Sequence, residues 1–363
     1  MTRLPRSILA CAVALALSLL SGCSSTGLFS GDNALDPEDV PAALEKATAA
    51  LARDDAQEAV ELLVPASRAV GLAPDVRDRV QIELEKSAER RIEQLSAPGS
   101  DPDDLADLID LELPRQIAVQ AGLVAARRYV EIGEPIDAYE LLKRIDDKFP
   151  LHHERIASGN LMADIGLSLK DDTPTLFGWF DTLGEAQEIL EYVILKTPWA
   201  RRCDEAYMAL SVIYEQDQDW RLAIERAEGL VLNHPGSPLA IQAQARVPEL
   251  RLRMLASPEY DRQELDRARQ ELQEWLVSHG TNELEPKVRL ELADCLVRLC
   301  ESDLSISRFY HTVGNAFGAQ RHARRAIQEA RDAGDAERVK QAEDWQRGLP
   351  AAVNPISGTE ALP

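Results

Sequence analysis

Apolar residues recur at intervals of three and four along most of the chain, the spacing that gathers them on one face of an α-helix. Val80-Gln-Ile-Glu-Leu-Glu-Lys-Ser-Ala and the stretch ARQELQEWLV from Ala268 to Val277 show the pattern. Neither alternates with the period of two that a half-buried strand needs, and no Asn-Gly hairpin signal occurs. The positions are filled largely by Ala, Leu, Glu, Arg and Gln, which are strong helix formers. Pro, Gly and Asp clusters break the pattern near 71–74, 97–103, 133–135, 150, 171–174, 198, 235–238, 257–261, 280–282, 314 and 334. These breaks predict helices of 12 to 20 residues joined as antiparallel pairs.

Within that pattern lies a repeat. Ala138 is followed by Leu142, Ile145 and Pro150; Ala186 by Leu190, Val193 and Pro198; Ala223 by Ala227, Leu230 and Pro235. The offsets of four, seven and twelve are the same in all three. A small residue lets the second helix of a pair approach the first, the residues at plus four and plus seven fill the same face, and the proline stops the helix. Tyr129 and Tyr214 each stand nine residues before the alanine, with Gly133 or the polar run 215–219 as the turn. Weaker units are Ala59 with Leu63 and Ala66, Ala268 with Leu272 and Trp275, and residues 284–331. This resembles the tetratricopeptide repeat, which implies an all-α solenoid of helix-turn-helix repeats whose stacked pairs present a concave binding surface.

The ends of the chain change where such an array would work. Arg3 and Arg6 precede an almost unbroken apolar run of 13 residues, Ile8 to Leu20, short of the roughly 20 needed to span a bilayer. Leu20-Ser21-Gly22-Cys23 closes it. The pattern is that of a cleavable signal peptide over residues 1–22 ending in a bacterial lipobox, with Cys23 as the lipidation site. The stretch after it, residues 23–39, is small, polar and marked by Gly and Pro; about 18 such residues reach about 25 Å. It is expected to tether the body to a membrane surface. Ser24 after the cysteine favours the outer membrane, facing the periplasm, by analogy with lipoproteins generally. At the other end, residues 336–349 read as a terminal helix and 350–363 as a disordered tail.

The formal charge of the chain is −22; without the leader, 38 basic residues stand against 62 acidic ones, a charge of −24. Such a surface repels nucleic acid and anionic headgroups, so the lipid rather than a basic patch would hold the protein at a membrane. Once Cys11 is cleaved off and Cys23 is lipidated, Cys203, Cys295 and Cys300 remain. They allow one disulfide with a thiol left over, or three small buried apolar residues on helices.

A closer resemblance runs from about 155 to 330. The stretch DEAYMALSVIYEQDQDWRLAIERAEGLVLNHPGSPLAIQA (204–243), with its Pro235-Gly-Ser-Pro-Leu-Ala240 hinge, resembles the repeats of the BamD family. Pro258-Glu-Tyr-Asp261 before LDRARQELQEWL resembles a second family segment, and Arg308, Phe309, Tyr310 and Gly314 match its terminal helix pair. His234 replaces the family's usual Tyr, and residues 40–150 add helical repeats ahead of the matched 151–335. The resemblance implies a lipoprotein scaffold in the assembly and insertion of outer-membrane β-barrel proteins. Its partners would be the barrel insertase and its lipoproteins, or unfolded barrel substrates. Alternatives are a scaffold for other cell-envelope coordination, or a carrier or sensor of a small ligand.

An insertion at 170–182 spreads Ala138 and Ala186 to 48 residues apart. Its Phe177, Trp179 and Phe180 are costly if left in water; they would dock a partner or a bilayer interface, or fold back into a groove between repeats. No G-x-S-x-G, phosphate loop, His-Glu-x-x-His or CxxC occurs, so no enzyme, cofactor or metal site is expected. Four of the six histidines, His152, His153, His234 and His279, lie at or beside predicted helix ends and read as caps or solvated residues. His311 and His322 stand too far apart on a helix to share a metal, and paired acids such as Asp146-Asp147 read as solvated surface charge.

Overall fold

The computed structural model describes residues 34–97, 99–171, 182–255 and 261–351. These form fifteen α-helices and a short 3-10 turn at Asp107–Ile109, with no strand among the described residues. Two compact units divide the chain at residues 88 and 89.

The first unit holds α1 (Val40–Ala52), α2 (Ala56–Ser67) and the start of α3 (Pro74–Leu95). Val40, Ala47 and Ala50 of α1 and Ala56, Ala59, Leu63 and Ala66 of α2 are fully buried. Leu35 N–H donates to the Pro65 carbonyl at 3.2 Å, so the chain is tied to α2 from that residue on.

The second unit continues with α4 (Pro102–Ala106), α5 (Arg115–Ile132), α6 (Pro135–Lys148), α7 (Arg155–Asp171), α8 (Thr182–Lys196), α9 (Cys203–Gln216) and α10 (Trp220–Asn233). It ends with α11 (Pro238–Met254), α12 (Arg262–His279), α13 (Glu285–Thr312), α14 (Ala316–Asp332) and α15 (Ala336–Arg347). Each odd-numbered helix from α5 to α11 packs on its own even-numbered partner and on the next odd-numbered helix. Ala138, Leu142 and Ile145 of α6, Ala186, Leu190 and Val193 of α8, and Ala223, Ala227 and Leu230 of α10 are fully solvent-excluded. Helices α6, α8 and α10 stop two residues before Pro150, Pro198 and Pro235. Ala319, Ala323 and Ala326 of α14 repeat the same offsets and are equally buried.

The turns share one construction. Residues Asp54, Gly133, Gln218, Gly314 and Gly334 have φ of 64°, 88°, 60°, 75° and 74°. The next residue donates its N–H to a carbonyl five residues back: Asp55 to Ala50, Glu134 to Tyr129, Asp219 to Tyr214, Asn315 to Tyr310 and Asp335 to Ala330, at 2.8–3.0 Å. This closes the first helix by satisfying an orphan carbonyl. Four of those residues then cap the second helix, accepting at 2.9–3.3 Å from the N–H three residues on: Asp55, Asp219, Asn315 and Asp335. Glu134 makes no such cap; Pro135 at the first turn takes its place.

One helix departs from the expected lengths. α13 runs for 28 residues because nothing between Pro286 and Gly314 breaks it. Its first half packs Val288, Cys295, Leu296 and Leu299 with Leu265, Ala268, Leu272 and Trp275 of α12. Its second half packs Cys300 and Leu304 with Ala326, Ile327 and Ala330 of α14 and Ala342 of α15. The three cysteines are free and buried; burial pushes their thiols up, to about 11 for Cys203 and Cys300 and about 12 for Cys295.

Candidate functional site

The repeats position a row of polar side chains on the first helices of successive pairs. On α11, Gln242, Arg246, Glu249 and Arg253 follow one another at intervals of four, three and four, so they share a face. That face lies between Met208, Ser211 and Glu215 of α9 and Lys287 and Glu291 of α13. Arg246 donates from Nε to Ser211 Oγ at 2.9 Å and pairs with Glu215. Arg253 bridges Glu215 and Glu249, and Lys287 Nζ lies 2.7 Å from Glu249 Oε2. Glu249 is almost completely buried, and a carboxylate so placed persists only when paired.

Between these helices lies a cavity of about 170 Å³. Met208, Ala245, Leu284 and Val288 give it an apolar wall; Gln242, Arg246, Glu249, Lys287 and Glu291 line the rest. Glu291 has no hydrogen-bond or ion-pair partner among the described residues. Burial, then Glu249, hold its carboxyl above the ordinary carboxylate range, while Lys287 and Arg253 act against them. The volume matches a cavity of about 150 Å³ that holds one benzene and falls below the roughly 300–1,000 Å³ of ordinary small-molecule pockets. It suits one side chain of a larger ligand.

The even-numbered helices are joined by a different set of polar contacts. Tyr139 of α6 donates to Glu188 of α8 at 3.3 Å, and Tyr192 of α8 to Asp146 of α6 at 3.2 Å. Tyr214 donates to Glu191 at 2.7 Å, and Arg226 grips both oxygens of that carboxylate. Arg251, nearly buried, meets Glu228 at 2.5 Å and Glu264 and Glu271 at 3.1 Å each. These groups hold one pair to the next.

Several residues singled out from the sequence stand differently. Cys23, Phe177, Trp179 and Phe180 lie outside the described residues, as do Pro258 to Tyr260. His152 is no solvated cap: it is buried and lies 2.9 Å from Asp146 Oδ1. Asp146 is no solvated acid either, because its position on α6 faces α8 and it serves both His152 and Tyr192. His322 lies against Asp303 at 2.6 Å and stacks on Tyr310. Among the described residues no group of three or more His, Cys, Asp and Glu could hold a metal ion. None of their helices is long and apolar enough to cross a membrane. The hinge residue Ser237 caps α11 through Leu239 N–H at 3.0 Å and donates to Asp204 at 2.5 Å.

Arg246, Glu249, Lys287 and Glu291 escaped the sequence reading. Their one signal is a charged stripe at helical spacing, which on an exposed helix means only a solvated face.

The shared turn and the recurring buried alanine decide the class. These are tetratricopeptide-like helix-turn-helix repeats. No family model matches the sequence, and no curated protein matches it. Among solved structures, the chain is similar to a Podosopora anserina protein of nearly identical TPR-like repeats, with 17% identity over 61% of this chain and 98% of that one and a TM-score of 0.30. It is also similar to a tetratricopeptide repeat protein from Parabacteroides merdae, with 13% identity over 86% and 100% and a TM-score of 0.23. At such scores the repeat assignment rests on the chain's own helix register.

Proposed function

We propose that this protein is a lipid-anchored repeat scaffold that binds an extended segment of another protein across α9, α11 and α13, in the assembly and insertion of outer-membrane β-barrel proteins. Repeat arrays of this kind work by presenting a surface built from successive units. The observation that carries the binding role is the cavity between three first helices, lined by an apolar wall and a row of charges. Its size favours one side chain of a protein over a whole small molecule, which counts against the carrier reading.

The assembly role rests on sequence: the lipobox at Leu20–Cys23, the hinge from Pro235 to Ala240, and Arg308, Phe309, Tyr310 and Gly314. Lipid on Cys23 would place the protein on the periplasmic face of the outer membrane, since two or more acyl chains anchor stably. A mild-detergent pull-down of the tagged, lipidated chain from its own envelope tests the proposal. Near-stoichiometric recovery of a barrel insertase supports it. Enrichment of other envelope proteins without the insertase replaces it with a general envelope scaffold.

A further inference from the structure

Glu291 is the one lining acid of the α9–α11–α13 cavity with no hydrogen bond or ion pair among the described residues, although Lys287 and Arg253 lie near enough to favour its charge. The cavity's other acid, Glu249, is held by Arg253 and Lys287, and Arg246 is taken by Glu215. Glu291 is half-buried and has no partner among the described residues. It stands one helical turn beyond Lys287 and three residues beyond the buried Val288. Met208 and Leu284 complete an apolar wall beside it. A cavity with an apolar wall and an unpaired carboxylate is complementary to a side chain with an aliphatic stem and a cationic tip.

We propose that this cavity is a specificity pocket for one lysine or arginine side chain of an extended protein segment, with the aliphatic stem against Val288, Met208 and Leu284 and the cation on Glu291. The proposal rests on the peptide-binding reading given above and adds the chemistry of one subsite. Three further observations support it. Burial, then Glu249, outweigh Lys287 and Arg253 and disfavour the bare Glu291 carboxylate; a cation placed directly on it would offset that bias. The charge of the chain, −22, draws basic segments and repels acidic ones. The cavity volume of about 170 Å³ admits one side chain.

The test uses a phage-displayed library of random linear peptides, selected on the purified full chain without its leader and, separately, on E291Q. Circular dichroism confirms that the variant is as helical as the parent. The best peptide is then remade with norleucine at its enriched basic position, and all four affinities are measured by calorimetry. The expected result is enrichment of Lys or Arg at one position on the parent and its loss on E291Q. Norleucine should weaken binding about tenfold on the parent and leave it unchanged on E291Q, the signature of a direct pair. Enrichment of peptides with no basic preference, or an equal norleucine effect on both proteins, overturns the pocket assignment and leaves peptide binding intact. Failure to enrich any peptide over background overturns the peptide-binding reading and the pocket with it.

Discussion

The backbone N–H of Asp219 donates to the carbonyl of Tyr214 at 2.8 Å, closing α9 one residue after Gln218 swings into the left-handed region. The same closure joins α1 to α2, α5 to α6, α13 to α14 and α14 to α15. The turn is therefore a unit of the design, and its residues have separable costs. Gln218 and Asp54 carry side chains where three other turns have glycine, and a left-handed conformation costs an ordinary residue roughly 1 kcal/mol. Q218G should stabilise the fold by up to about 1 kcal/mol, and D219A, which removes the cap on Leu222 N–H, should destabilise it by about 1 kcal/mol. Urea denaturation of the two variants checks both signs.

The alanine register leaves no room for bulk. Ala223 is fully buried where α10 meets its neighbours, so A223L should cost about 1–3 kcal/mol through overpacking. The exposed Gln328 of α14 offers a control: Q328L should change stability by less than about 0.5 kcal/mol. Thermal melts of the pair separate a packing seam from a merely alanine-rich helix.

Much of this was legible beforehand. The offsets from Ala138, Ala186 and Ala223 follow from the geometry of one helix lying on another, and geometry of that kind is periodic along the chain. The residues of the groove were not legible, because Arg246 meets Glu215 and Glu249 meets Lys287 only when α9, α11 and α13 stack. Asp146 and His152 misled for the same reason: their burial is imposed by the next pair, which local sequence does not report. The breaks at 280–282 and 314 bracket α13 as one segment, but its 28 residues exceed the expected 12 to 20 because it serves two pairs at once.

Arg251 binds three carboxylates from α10 and α12 with almost no solvent access. Removing the cation leaves those acids facing one another. R251A should destabilise the fold by about 3 kcal/mol, the usual cost of breaking a buried pair from one side. R251M, which keeps the volume, should recover part of that loss. Chemical denaturation at two salt concentrations measures both.

Glu329 of α14 is buried beside Asp303 of α13, with Arg262 and Asp266 from α12 and His322 and Arg325 from α14 around the pair. Burial, then the neighbouring Asp303, push the Glu329 carboxyl up to about 8 from 4.5. Since its folded value is the higher one, its contribution is full below about pH 4.5 and fades as the pH rises through about 8. E329Q keeps the neutral form at every pH. It should match the parent near pH 5 and exceed it by on the order of 2 kcal/mol near pH 9. Melting temperatures across that range decide the sign; equal pH profiles would remove Glu329 as the cause.

On the proposed function, the surface between α9, α11 and α13 receives a protein segment. A photo-crosslinking residue at Gln242, which is exposed and lines the cavity, tests it in the living envelope. A matched residue at Leu232 of α10, 80% exposed and outside the groove, serves as the control. Discrete crosslinked protein bands are expected from position 242, among them outer-membrane barrel proteins or their insertase, and none of these from position 232. Absence of crosslinked protein at position 242, or the same bands from both positions, would contradict it.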